Sequence, residues 1–267
     1  MALAEALPQA DASSIVDRAV LEVQVQDMYR RVAREEEAEL HFAVGRPLAL
    51  RLGYPSELLD AIPAEALASF AGVGYHLDFA ELAPGEEVLD LGSGSGTDVF
   101  CAALQVGPSG HVVGVDFTDE QIAKAKRLRD RDGFSRADFV EASIDDLPFE
   151  NGSFDAVISN GVVNLSPVKP RVFAEAARVL RPGGRLAIAD IVSGRALKER
   201  TRRNVELWAA CIAGAIPRQS YLDTLEAAGF RITDVRTNDY DFISDRALDA
   251  CSTYGVESIS LAAVKDA

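Results

Sequence analysis

The stretch V-L-D-L-G-S-G-S-G-T-D (88–98) carries the residue types best suited to holding a ligand. Gly92, Gly94 and Gly96 permit a tight turn and let the backbone approach a bound molecule closely. A packing turn is the competing explanation of any glycine triplet, so the neighbours decide. Asp116 follows Gly96 by 20 residues, at the end of an apolar run, where a carboxylate can accept both hydroxyls of a ribose. Asp90 precedes the glycines and adds a second acid. With Ser93 inside the loop, these residues describe an adenosine site at the edge of a parallel sheet.

Phosphate-bearing ligands fit this pattern poorly. A dinucleotide loop reads G-x-G-x-x-G, but here the third glycine comes one residue early and Thr97 takes its place. None of the six tyrosines begins a Tyr-x-x-x-Lys pair, and no G-x-x-x-x-G-K-[ST] loop occurs. A nicotinamide-dependent oxidoreductase is therefore the weaker reading. An acid ahead of the glycines suits a cofactor with a positive end. S-adenosylmethionine has an amino group, a sulfonium and no phosphate.

The elements that must position these residues follow from the patterning. Short apolar runs at 86–91, 111–116, 137–142, 154–160 and 185–192 read as strands, alternating with helices at 97–104, 118–130 and 171–180. Thr118 and Gln121 have the spacing of a capping box, and R-P-G-G (181–184) reads as a helix stop. Alternating strands and helices predict an α/β fold with a doubly wound, mostly parallel sheet covered on both faces. The tail predicts a helix ended by Gly229, then strands near 231–243 and 256–264 that pair at the sheet edge. Upstream, 14–45 has helical spacing, with Val16, Val20 and Val23 as its apolar face, and 56–72 holds a second short helix opened by Ser56.

Composition narrows the class. With 27 lysines and arginines against 42 aspartates and glutamates, the net charge is −15, which repels nucleic-acid phosphates and anionic membranes. Hydrophobic residues make up 48% of the 267 residues, enough for a large core. The expectation is a small-molecule substrate, no nucleic acid and no membrane. MALAEALPQADASS has no basic start or long apolar core, so no secretory signal is expected. Cys101, Cys211 and Cys251 lie far apart and suggest reduced thiols in a cytoplasmic protein. The three histidines share no ligand spacing, so no metal site is expected.

The order D-L-G-S-G-S-G, Asp116, LPF (147–149), FDAVISN (154–160) and VLRPGGRLAIAD (179–190) resembles class I S-adenosylmethionine-dependent methyltransferases over roughly 84–267. Closer resemblance is to the arsenite methyltransferases, through 52–74, VGPSGHVVGVDFTDEQIAKA (106–125), SNGVVNLSPVKPRVFAEAARVL (159–180) and ELWAACIAGAIPRQSYLDTLEAAGF (206–230). It implies a seven-stranded Rossmann-like methyltransferase fold, with a helical cap over 1–70 and a cofactor domain over 71–267. An insertion at 193–222 would face the acceptor. The glycines would line the methionyl part and sugar, Asp116 the ribose, and Phe117 the adenine face. Ile144 with Ser143 and Asp145 would meet the adenine edge, although family members usually carry an acid where Ser143 stands. Gln121 and Asn160 would also line the cofactor. Two readings stand for Tyr29: closing over the cofactor, or packing on the core.

The chain departs from those relatives where arsenic would bind. Their cysteines come from separate segments. Here Val73 and Gly161 occupy two of those positions and only Cys211 matches. A soft three-coordinate centre needs thiolates, so an organic acceptor is the preferred reading, with arsenite methylation or cofactor binding without turnover as alternatives. Cys211 itself reads more readily as a small buried hydrophobe. Candidate substrate contacts are His41, Tyr75, Trp208 and Cys211. His76 and Asn164 are candidate catalytic residues, His76 as a base or else as a structural histidine.

Overall fold

A computed structural model describes residues 10–34, 42–209 and 211–266. Its centre is one seven-stranded sheet among those residues, in the order β3-β2-β1-β4-β5-β7-β6. The strands are β1 (Glu87–Leu91), β2 (His111–Asp116), β3 (Ala137–Glu141), β4 (Phe154–Asn160), β5 (Leu180–Ser193), β6 (Phe230–Thr237) and β7 (Val256–Lys265). β1 through β5 run parallel, while β7 pairs antiparallel with both β5 and β6. β1, β2 and β4 are buried on both faces, which explains their nearly continuous apolar sequence, whereas the edge strand β3 alternates buried and exposed positions.

Six longer helices flank the sheet: α1 (Arg18–Ala33), α2 (Thr97–Val106), α3 (Asp119–Asp132), α4 (Lys169–Val179), α5 (Arg218–Ala227) and α6 (Asp245–Tyr254). Short helices at Gly45–Arg51, Ser56–Asp60, Ala64–Ala68 and Leu77–Ala80 lead into β1, and two more, Glu199–Arg202 and Val205–Ala209, follow β5. No described helix is long and apolar enough to cross a membrane.

β1 lies between β2 and β4 with both partners parallel, Leu91 pairing with Val115 on one side and Ser159 on the other. Chain order reverses at this point, so the connections leave in opposite directions and open a crevice at the carboxyl ends. The 92–96 loop, Asp116 and Asn160 all fall at that edge.

Several sequence expectations change in detail. Thr118 occupies the N-cap of α3 but makes no side-chain cap bond, and Gln121 turns toward the crevice instead. R-P-G-G stops α4 yet lies within β5, where a register shift between Phe154 and Ala156 absorbs it. The tail strands pair antiparallel, but β6 ends at Thr237 and α6 intervenes.

The apolar face of α1 differs most from expectation. Val20 and Val23 are about half exposed, while Leu21 and Val25 are buried with Val16 against Trp208, Ile212 and Leu165. The i, i+4 pair Leu21–Val25 is the one that meets the body. Accordingly, Leu21→Ala should cost about 2–5 kcal/mol in urea unfolding, whereas Val23→Ala should stay within about 0.5 kcal/mol. Equal costs would contradict this orientation.

Candidate active site

The loop after β1 is built for close approach. Gly92, Gly94 and Gly96 all have positive φ, at 74°, 52° and 95°. A Cβ on Gly92 would lie 2.5 Å from the Val162 side chain, so this glycine is required by the opposite wall. Gly94 has only the Gln121 side chain within 4 Å, at 3.8 Å, and lines the cleft. Gly96 is different: a Cβ there would meet Phe139 at 2.7 Å and Phe100 at 2.9 Å, and the residue lines no chamber. It is a packing glycine rather than a cofactor contact.

Asp116 holds the loop in place. Its Oδ2 accepts from Gly94 N (3.0 Å) and its Oδ1 from Thr118 N (2.8 Å). Gln121 meets Ser95 Oγ and donates to the Tyr29 carbonyl (3.0 Å), so the loop is also tied to α1. A cavity of about 640 Å³ opens above, walled by the loop, Asp98, Asn160, Tyr29 and the 69–72 segment. A second chamber of about 510 Å³ adjoins it, with Val25, Gly92, Asp116, Phe117, Val162 and Leu165 shared.

The larger chamber is acidic. Asp90, Asp98 and Asp116 line it, and no described lysine, arginine or histidine does. Asp98 accepts from Tyr54 Oη (2.5 Å) and from Asn160 Nδ2 (3.1 Å). Burial, aided by Asp98 and Asp116, pushes the Asp90 carboxyl well above its usual range, and burial also raises Asp116. Ser93 Oγ is buried without a partner. An acid pushed toward neutrality, an unpartnered hydroxyl and loop amides without bulky side chains fit a cationic nucleoside carrying no phosphate.

The smaller chamber ends at Ser143, Ile144 and Asp145. Ser143 donates to Asp145 Oδ1 (2.6 Å), and Arg18 grips both Asp145 oxygens (2.7 and 3.0 Å). Against the opposing effect of burial, Ser143 and Arg18 hold Asp145 below its ordinary value. Arg18 thus bolts the start of α1 over this chamber.

Asn160 lines the larger chamber, with its amide committed to protein. Its Oδ1 accepts from Val73 N (2.8 Å), and its Nδ2 reaches the Gly74 carbonyl (3.0 Å) as well as Asp98. Tyr29 also lines the chamber, with its Oη 3.9 Å from Cys211 Sγ, and burial raises its phenol well above its usual value. Val73, Gly161 and Cys211 meet behind this chamber, which Gly161 alone of the three lines; Cys211, a predicted substrate contact, lines neither chamber. A Cβ on Gly161 would lie 3.3 Å from Val73, and Cys211 Sγ lies 4.0 Å from the Gly161 carbonyl. Burial pushes the Cys211 thiol up to about 12.

Four predicted contacts lie elsewhere. His76 is fully buried, its ring nitrogens have no partner among the described residues, and it lines neither chamber; burial lowers its pKa. Tyr75 packs on Tyr54 at 4.6 Å between ring centroids, outside the cleft. Asn164 is drawn behind the wall by Asp190, which accepts from its N–H (2.8 Å), and by the Cys211 carbonyl, which accepts from its Nδ2 (2.7 Å). Trp208 is buried, and its Nε1 donates to the Arg202 carbonyl (2.6 Å). His41 lies outside the described residues. Sequence reasoning missed Arg18, Leu21 and Val25 because it chose another face of α1. It also missed Asp98, although that acid directly follows the glycine loop, and Val162 and Leu165, although they follow a strand whose end was recognised.

A methyltransferase domain family matches residues 82–229. An arsenite methyltransferase of Halobacterium salinarum is 42% identical over 197 residues, which cover 73% of this chain and 50% of that protein. One from Aquipseudomonas alcaligenes is 40% identical over 186 residues, covering 67% and 53%. The chain thus spans about half the length of these relatives. The crystal structure of an arsenic(III) S-adenosylmethionine methyltransferase from Chlamydomonas reinhardtii superposes with a TM-score of 0.63 at 30% identity, covering 84% of this chain and 75% of that one.

The state of Asp90 gives a pH test. Its folded pKa is raised, so the native protein binds the extra proton and stability falls as pH rises from about 4 toward the folded value. Asp90→Asn should therefore stabilise the ligand-free protein at pH 7 by about 1–3 kcal/mol, with the gain shrinking toward pH 4 in urea titrations. A destabilised variant at pH 7 would show that the carboxylate has a compensating partner.

Proposed function

Because this chain belongs to the S-adenosylmethionine-dependent methyltransferases, within the arsenite methyltransferase family, we propose that it methylates a small, uncharged organic acceptor by in-line displacement. One observation carries the reading: Val73, Gly161 and Cys211 meet in one cluster that offers one thiol and reaches the larger chamber through Gly161, and that chamber has three acids and no described cationic side chain. Arsenic(III) is held by several thiolates, and this cluster offers one thiol. Val73 and Gly161 also make that cluster apolar. A carboxylated or phosphorylated acceptor finds no arginine or lysine there.

S-adenosylmethionine, when bound, supplies the sulfonium methyl group. Asp116 accepts the ribose hydroxyls, while Asp90 and the Gly92–Gly94 backbone receive the methionyl end. Phe117 and Ile144 flank the adenine, with Ser143 and Asp145 at its edge. Leu21, Val25 and Tyr29 on α1 exclude water from the transfer path. Alignment of this kind contributes on the order of 7–11 kcal/mol to lowering a barrier. The described residues of the 1–70 segment act as the cap, and those of the 193–222 segment in the 71–267 domain shape the acceptor side. The −15 charge speaks against a nucleic-acid acceptor, and three widely spaced cysteines support a cytoplasmic enzyme with reduced thiols.

Titration calorimetry with S-adenosylmethionine, followed by S-adenosylhomocysteine release across an acceptor panel, tests the proposal. Uncharged acceptors should turn over and their carboxylated analogues should not; binding without product across the panel would leave a cofactor-binding module. Asp116→Ala should weaken cofactor binding by about 1.5–3 kcal/mol, and unchanged affinity would remove the ribose assignment. Arsenite with excess glutathione should give no methylarsenic. Robust product that disappears in Cys211→Ser would reverse the choice of acceptor.

A further inference from the structure

Beneath the wall common to both chambers lies a polar cluster that the proposed transfer does not use. Asp190 of β5 is fully buried, and its Oδ2 accepts from Asn164 N and Tyr221 Oη, both at 2.8 Å. Lys169, at the start of α4, is equally buried. Its Nζ donates to the carbonyls of Asn164 (3.0 Å) and Ser166 (2.9 Å) and stands 5.2 Å from the Trp208 ring centre. The Asn164 side chain donates to the carbonyl of Cys211, a residue in left-handed backbone at φ 60°. One short turn, Val163–Leu165, is therefore gripped through the N–H, the C=O and the side chain of its middle residue.

That turn carries Leu165, which lines both chambers, and leads into Ser166, which lines the smaller one. Few alternatives exist for the backbone groups involved. They are buried, and each lost partner leaves a polar atom unsatisfied. Gly214 presses on the Asn164 carbonyl so closely that no side chain fits between them.

We propose that Lys169 and Asp190 are positioning residues: two buried groups of opposite charge type, with no hydrogen bond or ion pair between them, that together set the Val163–Leu165 turn, and through it the wall of the cofactor cleft and the Cys211 loop. Neither touches the cleft. Burial drives Lys169 down and Asp190 up, each toward neutrality, and their mutual attraction opposes both shifts. A pair so costly to bury is retained here at a place where it specifies geometry.

The inference rests on the cofactor reading above, and the test separates the two. S-adenosylhomocysteine binding is measured by calorimetry well below each variant's melting temperature, alongside amide exchange of residues 162–166. Lys169→Met should weaken binding about tenfold and speed exchange in the turn by a similar factor. Asp190→Asn keeps the shape and should shift both in the same direction, which covers the case of a Lys169→Met chain that does not fold. Tyr221→Phe removes a bond to Asp190 but none to the turn; it should lower the melting temperature and leave binding and exchange alone. Wild-type affinity and exchange in both charge variants would overturn the positioning role. Failure of the wild-type protein to bind would instead overturn the cofactor reading.

Discussion

The hydrogen bond from Gly94 N–H to Asp116 Oδ2 joins the two loops on which the cleft depends. β1 and β2 end side by side, so the chain leaving β1 must turn at once, through residues without side chains, to clear Val162. The carboxylate at the end of β2 fixes that turn from across the crevice. Asn160 at the end of β4 does the same on the other side, tying the 73–74 segment and Asp98 to the sheet. The two strands flanking β1 thus each contribute one anchoring group at one edge. The crevice between them is a consequence of strand order rather than of any special loop.

The sheet and this edge were legible in the sequence because they depend on features one residue wide. Apolar runs mark buried parallel strands, glycines mark positive φ, and an acid at a strand end can only project from the carboxyl edge. Side-chain direction elsewhere was not legible. Asn164 sits in a segment that borders the cleft and Trp208 in one that packs behind it, and Asp190, Lys169 and Arg202 hold both away from it. Those partners are 26, 39 and 6 residues distant, and nothing local announces them. Gln121 shows the reverse: its spacing from Thr118 suggested a cap, but the nearer need was a bridge between the glycine loop and the Tyr29 carbonyl. On α1, valine spacing alone pointed to one face while the body packs on another. A weakly amphipathic helix takes its orientation from what it covers.

Positions 73, 161 and 211 illustrate how side chains can be exchanged on a fold that is kept. Val73, Gly161 and Cys211 come from distant parts of the chain and still meet, as they must if this cluster is inherited with the fold. Exchanging side chains in such a cluster changes what it can bind without disturbing the strands behind it.

Two kinds of interaction seat α1 over the cleft, and they respond to different surroundings. Leu21 and Val25 bury apolar surface, which added salt does not weaken. Arg18, Arg30 and Arg34 instead meet Asp145, Asp119 and Glu120 in pairs whose arginines remain partly exposed. In a chain of net charge −15, these arginines also quiet repulsion among neighbouring acids. Charges in water lose sight of one another beyond about 8 Å at physiological ionic strength. The mouth of the cleft therefore senses the electrolyte around it while the sheet beneath does not, and access to the interior becomes a property shared between the protein and its solvent.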